Sequence, residues 1–235
     1  RLDGHTIYPK NYFKNAIKIF KAKSHISIIG GPAIHKGLSW KGKTIANCMM
    51  NPFGVGGSSF RTSISKMYVD TVPFAIYKRE VFNKLGLYNE KLIRNQDDEF
   101  NYRCRSQGYK ILMHPELKTK YFVRENLAGL IKQYYSYGFY KPDVFELVSK
   151  GRSWYHFVPS MSIISIPFLL YLVSFNMMFF IPFLSYVLMC ILVSIRCQDD
   201  LKMIFLSMIV FPCLHFSYGI GFIIGFIRVK LKKYS

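Results

Sequence analysis

The sequence predicts an α/β layer structure with a mostly parallel or mixed sheet over residues 1–150, followed by C-terminal transmembrane α-helices over residues 151–235. Three observations carry this. Charged residues are spread through residues 1–152, and helix-period and strand-period segments alternate there. From Phe157 to Ile195 no side chain is charged. At about 1.5 Å per helical residue, that run reaches nearly twice the roughly 30 Å hydrocarbon thickness of a bilayer.

In the first part, "NYFKNAIKIFKAK" (11–23) reads as an amphipathic helix with Phe13, Ile17 and Phe20 on one face and lysines opposite. "HISIIGG" follows as a short apolar strand, "WKGKTIANCMM" (40–50) as a helix, and "NPFGVGGSSF" (51–60) as a glycine-rich loop. "MYVDTVPFAIY" (67–77) reads as extended, and "KREVFNKLG" as a helix stopped by Gly86. A helix from about Asp97 to Gln107, stopped by Gly108, precedes the strand "YKILMH".

The apolar part divides into predicted helices at 157–175, 177–195 and 203–227, with the first turn near Asn176 and Pro182. Lys150 and Arg152 before the first helix, with Arg196 and Lys202 after the second, put both flanks in the cytoplasm. A third crossing would export Arg228, Lys230, Lys232 and Lys233, so the last segment, interrupted by Pro212 and glycines, reads as irregular, crossing or re-entrant.

With 32 Lys and Arg against 13 Asp and Glu, the net charge is +19, which selects anionic partners: lipid head groups, phosphorylated substrates or nucleic acid. No recognised nucleic-acid module surrounds the basic and aromatic residues, so nucleic acid is not an expected partner. Five cysteines without a C-x-x-C pair argue against a zinc site and a disulfide framework.

Against this basic background, Asp97, Asp98 and Glu99 stand side by side at a helix start. A solvated cap explains one or two of them. Successive helical residues point about 100° apart, so one carboxylate can enter a cleft while its neighbour caps. In "LDGH", Asp3 and His5 offer an oxygen and a nitrogen to a divalent cation. "GVGGSSFR" offers Gly56 and Gly57 for close approach to a phosphate or sugar, with Arg61 nearby, or forms a plain surface turn. "QYYSYGFYK" (133–141) offers Gln133 among aromatics as a stacking platform or an interfacial belt.

Taken in order, "LDGH", "FGVGGSSFR", "YVDTVPFAIYKREVFNKLGLYNEKLIRNQDDEFNYRCRSQGYKI", "QYYSYG" and the C-terminal apolar segments resemble the inverting family 2 glycosyltransferases, of the succinoglycan and exopolysaccharide type. The resemblance runs from residue 1 to about residue 145 and is specific in the 68–111 block. It implies a partial GT-A-like domain, a mixed sheet with flanking helices whose first half is expected upstream of Arg1. It also implies that "LDGH" takes the place of a metal-binding D-x-D, with Asp3 and His5 holding Mg or Mn. Asp97 falls on the family's general base, with Gln96 where Glu is usual. Asp98, Glu99, Gly56, Gly57, Arg61, Asp70 and Gln133 become candidate donor- or acceptor-binding residues. "QYYSY" resembles a degenerate Q-x-x-R-W, with Ser136 and Tyr137 replacing Arg and Trp, which implies single-sugar transfer.

The implied function is transfer of a sugar from a nucleotide-diphosphate sugar to a polyprenyl-diphosphate-linked saccharide, in exopolysaccharide or capsule synthesis. The implied place is the cell (inner or plasma) membrane, with the catalytic part cytoplasmic and membrane lipid as a partner. The rivals are a non-catalytic membrane-anchored basic protein binding anionic lipid or polymer, and a processive polysaccharide synthase.

Overall fold

The computed structural model describes residues 4 and 6–232. In chain order they form β1 (Thr6–Ile7), α1 (Tyr12–Ala22), β2 (Ile28–Gly30), β3 (Ala33–Lys36), α2 (Trp40–Met49), α3 (Pro52–Val55) and α4 (Ser59–Thr62). Then come β4 (Met67–Val69), β5 (Ile76–Tyr77), α5 (Arg79–Leu85), α6 (Gln96–Ser106), β6 (Ile111–Met113) and β7 (Thr119–Phe122). The chain continues through α7 (Leu127–Leu147), α8 (Val158–Val173), α9 (Ile181–Cys197) and α10 (Leu201–Lys232). It divides into two compact units.

The first unit comprises Arg1–Lys36, Gly57–Phe122 and Tyr140–Arg152. One sheet runs β4-β6-β2-β5, with β2 and β6 parallel and the outer strands antiparallel to them; the other runs β1-β7-β3. The sheets are mixed, as the alternating pattern predicts. Ile28 and Ile29 are both fully buried, as a central strand covered on both faces requires. Ile28 packs with Val81, Phe100 and Cys104 of α5 and α6. Ile29 packs with Tyr12, Ala16 and Ile19 of α1.

That last contact corrects the sequence expectation for α1. Tyr12, Ala16 and Ile19 form the buried stripe, while Phe13 and Ile17 are 57% and 55% exposed. Phe20, the third residue of the predicted face, packs instead against the buried cluster; Phe13 and Ile17 repeat the i, i+4 spacing of Tyr12 and Ala16, so periodicity does not separate them. The Tyr12 hydroxyl donates to the Phe74 carbonyl at 2.7 Å, a partner that only the inward face offers.

The second unit comprises Gly37–Gly56, Val123–Phe139 and Ser153–Ser235. Here α10 packs on α2, α3, α8 and α9. The α2 N-terminus is closed by a distant carboxylate: the Leu38 and Ser39 N–H groups donate to Glu125 at 2.8 and 2.9 Å, as does the Ser39 hydroxyl. The Ser39 hydroxyl, with these N–H groups, holds the Glu125 carboxyl below its ordinary range. Met177–Cys197 and Leu201–Lys232, 21 and 32 residues, are long and apolar enough to cross a membrane, and Val158–Val173 is a shorter apolar helix. The last segment is one continuous helix through Pro212, where the sequence suggested irregularity. Its glycines serve helix contact: at Gly221 an added Cβ would lie 2.2 Å from the Tyr135 carbonyl oxygen, and at Gly225 2.1 Å from that of Phe139.

Candidate functional site

The acidic turn opens α6. Asn95 precedes it in the left-handed region (φ 61°), which asparagine tolerates, and its carbonyl accepts the Glu99 N–H at 3.0 Å. Asp97, Asp98 and Glu99 fill the first turn, with Arg103 and Arg105 in the last, the polarity that the helix dipole favours.

The three carboxylates have separate surroundings. Glu99 is buried and accepts from Arg103 Nε at 2.7 Å and Nη2 at 3.0 Å. Arg103 also donates to the carbonyls of Leu85 and Leu87 and lies over the Phe100 ring at 4.8 Å. Glu99 thus orients Arg103 within α6, and Arg103 ties the helix to the end of α5.

Asp98 is held on both oxygens: Oδ1 accepts from the Thr71 hydroxyl at 2.9 Å and Oδ2 from Lys141 Nζ at 2.5 Å. The Lys141 and Asp98 side chains are only 6% and 20% exposed. The ammonium also faces the Tyr102 ring at 5.5 Å. Next to this pair, Asn101 donates to Thr71 Oγ1 at 2.9 Å and to the Val72 carbonyl at 3.1 Å, and accepts from the Tyr77 hydroxyl at 2.8 Å. Thr71, Tyr77, Asp98, Asn101 and Lys141 therefore form one network that fixes the α6 N-terminus against the 70–77 segment.

Asp97 is half-buried on the same turn. Burial raises the Tyr77 phenol well above its ordinary pKa, followed by Tyr88 and then the negative charge of Asp97. Asp97 thus stands within electrostatic reach of Tyr77.

The other candidates are dispersed. Asp70 pairs with Arg105 at 2.7 Å beside a shallow surface depression lined by Tyr68, Tyr109 and Lys110. Arg61, on α4, lies over the Phe60 ring, and its charge helps to lower the pKa of His35. The glycine-rich segment forms two short helices rather than an open loop, with Gly56 at φ 61° closing α3. The Gly56, Ser59 and Arg61 N–H groups bond to the carbonyls of Pro52, Gly57 and Ser58, which leaves fewer donors for an anion than an open loop would. Gly57 belongs to the first unit, whereas Gly56 and Gln133 belong to the second, where Gln133 donates to the Tyr137 hydroxyl at 3.0 Å. Asp3 and His5 lie outside the described residues. Among the described residues no cluster of His, Cys, Asp and Glu is arranged to hold a metal ion. Thr71, Tyr77, Asn101 and Lys141 were not among the sequence candidates. The only sequence signal for Lys141 was its place after the aromatic run.

No protein-family model matches the chain. It is 30% identical over 138 residues to the succinoglycan biosynthesis protein ExoA of Rhizobium meliloti, covering 59% of this chain and 42% of that one. It is 28% identical over 141 residues to a dolichyl N-acetyl-α-D-glucosaminyl phosphate 3-β-D-2,3-diacetamido-2,3-dideoxy-β-D-glucuronosyltransferase of Methanococcus voltae, covering 57% and 44%. It is also 35% identical over 77 residues to an uncharacterized glycosyltransferase of Methanocaldococcus jannaschii, covering 32% and 26%. These relatives support a glycosyltransferase family. The chain spans less than half the length of the curated relatives it matches.

Proposed function

We propose that this chain is part of a membrane-bound, inverting glycosyltransferase of family 2 with a GT-A fold. It moves one sugar from a nucleotide-diphosphate sugar to a polyprenyl-diphosphate-linked saccharide at the cytoplasmic face of the cell membrane, in exopolysaccharide or capsule synthesis. The observation that carries this is the division of labour in the α6 turn: Asp98 and Glu99 are committed to Lys141 and Arg103, and Asp97 is carried on the helix that they hold. A rigidly mounted carboxylate is what proton abstraction from an acceptor hydroxyl requires, within about 2.6–3.2 Å of that oxygen.

In the proposed step the acceptor oxygen attacks the anomeric carbon from the face opposite the diphosphate. The new C–O bond forms as the bond to the diphosphate oxygen breaks, the leaving group departs with the electron pair, and the hydroxyl proton passes to Asp97. Asp98, neutralised by Lys141, holds the turn and does not take the proton. Asp3 and His5 would offer one carboxylate oxygen and one imidazole nitrogen to Mg or Mn. A divalent cation bound there would neutralise charge on the diphosphate. The two apolar helices support a membrane location, and the relatives support a glycan acceptor.

The test incubates the purified chain in lipid with a panel of nucleotide sugars and a polyprenyl-phosphate lipid extract. The expected result is nucleoside diphosphate release matched by sugar entering the lipid phase with inverted anomeric configuration, stopped by a chelator. Retention of configuration, or release with water as the only acceptor, would reject the proposal.

A further inference from the structure

Helix α1 carries two apolar stripes, and the first unit uses one. With Tyr12, Ala16 and Ile19 inward, Phe13 and Ile17 project outward one turn apart. Lys14, Lys18 and Lys21 lie beside them on the exposed face, Lys10 is exposed just before the helix, and α1 contains no acidic residue. Solubility accounts for the lysines, but it does not account for a phenyl and a sec-butyl group more than half in water. Nor does the core, which is closed on the other side.

A surface that joins shallow apolar tips to a row of ammonium groups matches one kind of partner. Anionic head groups take the lysines, while the apolar tips enter the boundary between head groups and acyl chains. The long lysine stems can lie along that boundary with their charges at the phosphate level. A polypeptide with helices long enough to cross a bilayer meets such head groups at high effective concentration. We propose that the Phe13/Ile17 face of α1, with Lys10, Lys14, Lys18 and Lys21, docks on an anionic lipid surface. This goes beyond the transferase proposal; it rests on that reading's membrane location and not on its chemistry.

The test uses the full chain in nanodiscs of acyl-brominated phosphatidylcholine, with and without phosphatidylglycerol. Phe13→Trp, in a Trp40→Phe/Trp154→Phe background, reports contact with brominated chains through indole quenching, and Ile17→Trp gives a second reporter. Because the apolar helices keep every variant in the disc, the signal reads docking of α1 and not attachment of the chain. Quenching is expected in discs containing phosphatidylglycerol and should weaken as salt rises. Each lysine near the surface contributes about fivefold, so Lys14→Gln/Lys18→Gln lowers the docked-to-undocked ratio by about 25-fold. Equal quenching with and without phosphatidylglycerol would overturn the proposal. So would indole protection that tracks protein concentration, as a second copy would give.

Discussion

Lys141→Met is the perturbation that probes the acidic turn most sharply. The ammonium that it removes is 2.5 Å from Asp98 and nearly sealed from water, with the carboxylate itself four-fifths covered. Without Lys141 the carboxylate keeps its bond from Thr71 but has lost its countercharge in a poorly solvated place. Breaking one side of such a pair costs about 3–5 kcal/mol, because the cost lies in the charge left behind. At about 2–4 °C per kcal/mol for a chain of this size, the melting temperature should fall by roughly 6–20 °C. Adding Asp98→Asn removes the stranded charge and should recover more than half of the loss, since the amide can still accept from Thr71. Differential scanning fluorimetry of the two single variants and the double variant in one detergent measures this. A loss below about 1 kcal/mol for Lys141→Met, or no recovery in the double variant, would mean that the pair behaves as a screened surface contact.

Other predictions concern parts away from that pair. Burial, aided by the Arg61 charge and opposed by the bond from His35 Nδ1–H to the Ala33 carbonyl, lowers the His35 pKa from 6.5 to about 3. Below pH 6.5 the unfolded chain therefore binds a proton that the folded chain refuses, so stability falls as pH drops through that window, by about 1.4 kcal/mol per pH unit. Melting temperatures between neutral pH and the mildly acidic range should show a shallower slope for His35→Phe, and equal slopes would refute the burial argument. Gly138→Ala would set a Cβ 2.1 Å from the Tyr218 carbonyl oxygen and 2.8 Å from the Phe222 nitrogen, backbone atoms that cannot swing aside. A loss of about 1–3 kcal/mol in thermal stability is expected, larger than that of a Gly129→Ala control, and an unchanged melting temperature would refute the close α7–α10 contact.

Local signals explain most of what was legible in the sequence. The α5 and α6 boundaries follow from Gly86, Gly108 and the acidic start of α6, and the C-terminal helices from unbroken apolar runs. What was not legible depends on distance along the chain. Lys141 lies 43 residues from Asp98, and Asn101 lies 30 from Thr71, so no local pattern announces either contact. Phe13 and Ile17, outward on α1, repeat the spacing of the inward Tyr12 and Ala16, and the hydroxyl of Tyr12 with its Phe74 partner marks the inward face. In "NPFGVGGSSF", the Asn51 side chain accepts the Phe53 N–H, and Pro52 starts a turn of helix where glycine content suggested a loop. Gly37–Gly56 reads as a soluble segment, yet it groups with the apolar helices. There His215 bonds the Phe53 carbonyl at 2.7 Å and Asn47 bonds Gln198 at 2.9 Å.

Asp97→Asn tests the central claim most directly. The amide keeps the size of the carboxylate and cannot accept the proton, so label transfer from nucleotide sugar to lipid should fall by about 10²–10⁴-fold, while melting temperature and recovery in membranes match the parent chain. Transfer within about tenfold of the parent, less than loss of a general base costs, would show that the proton leaves by another route.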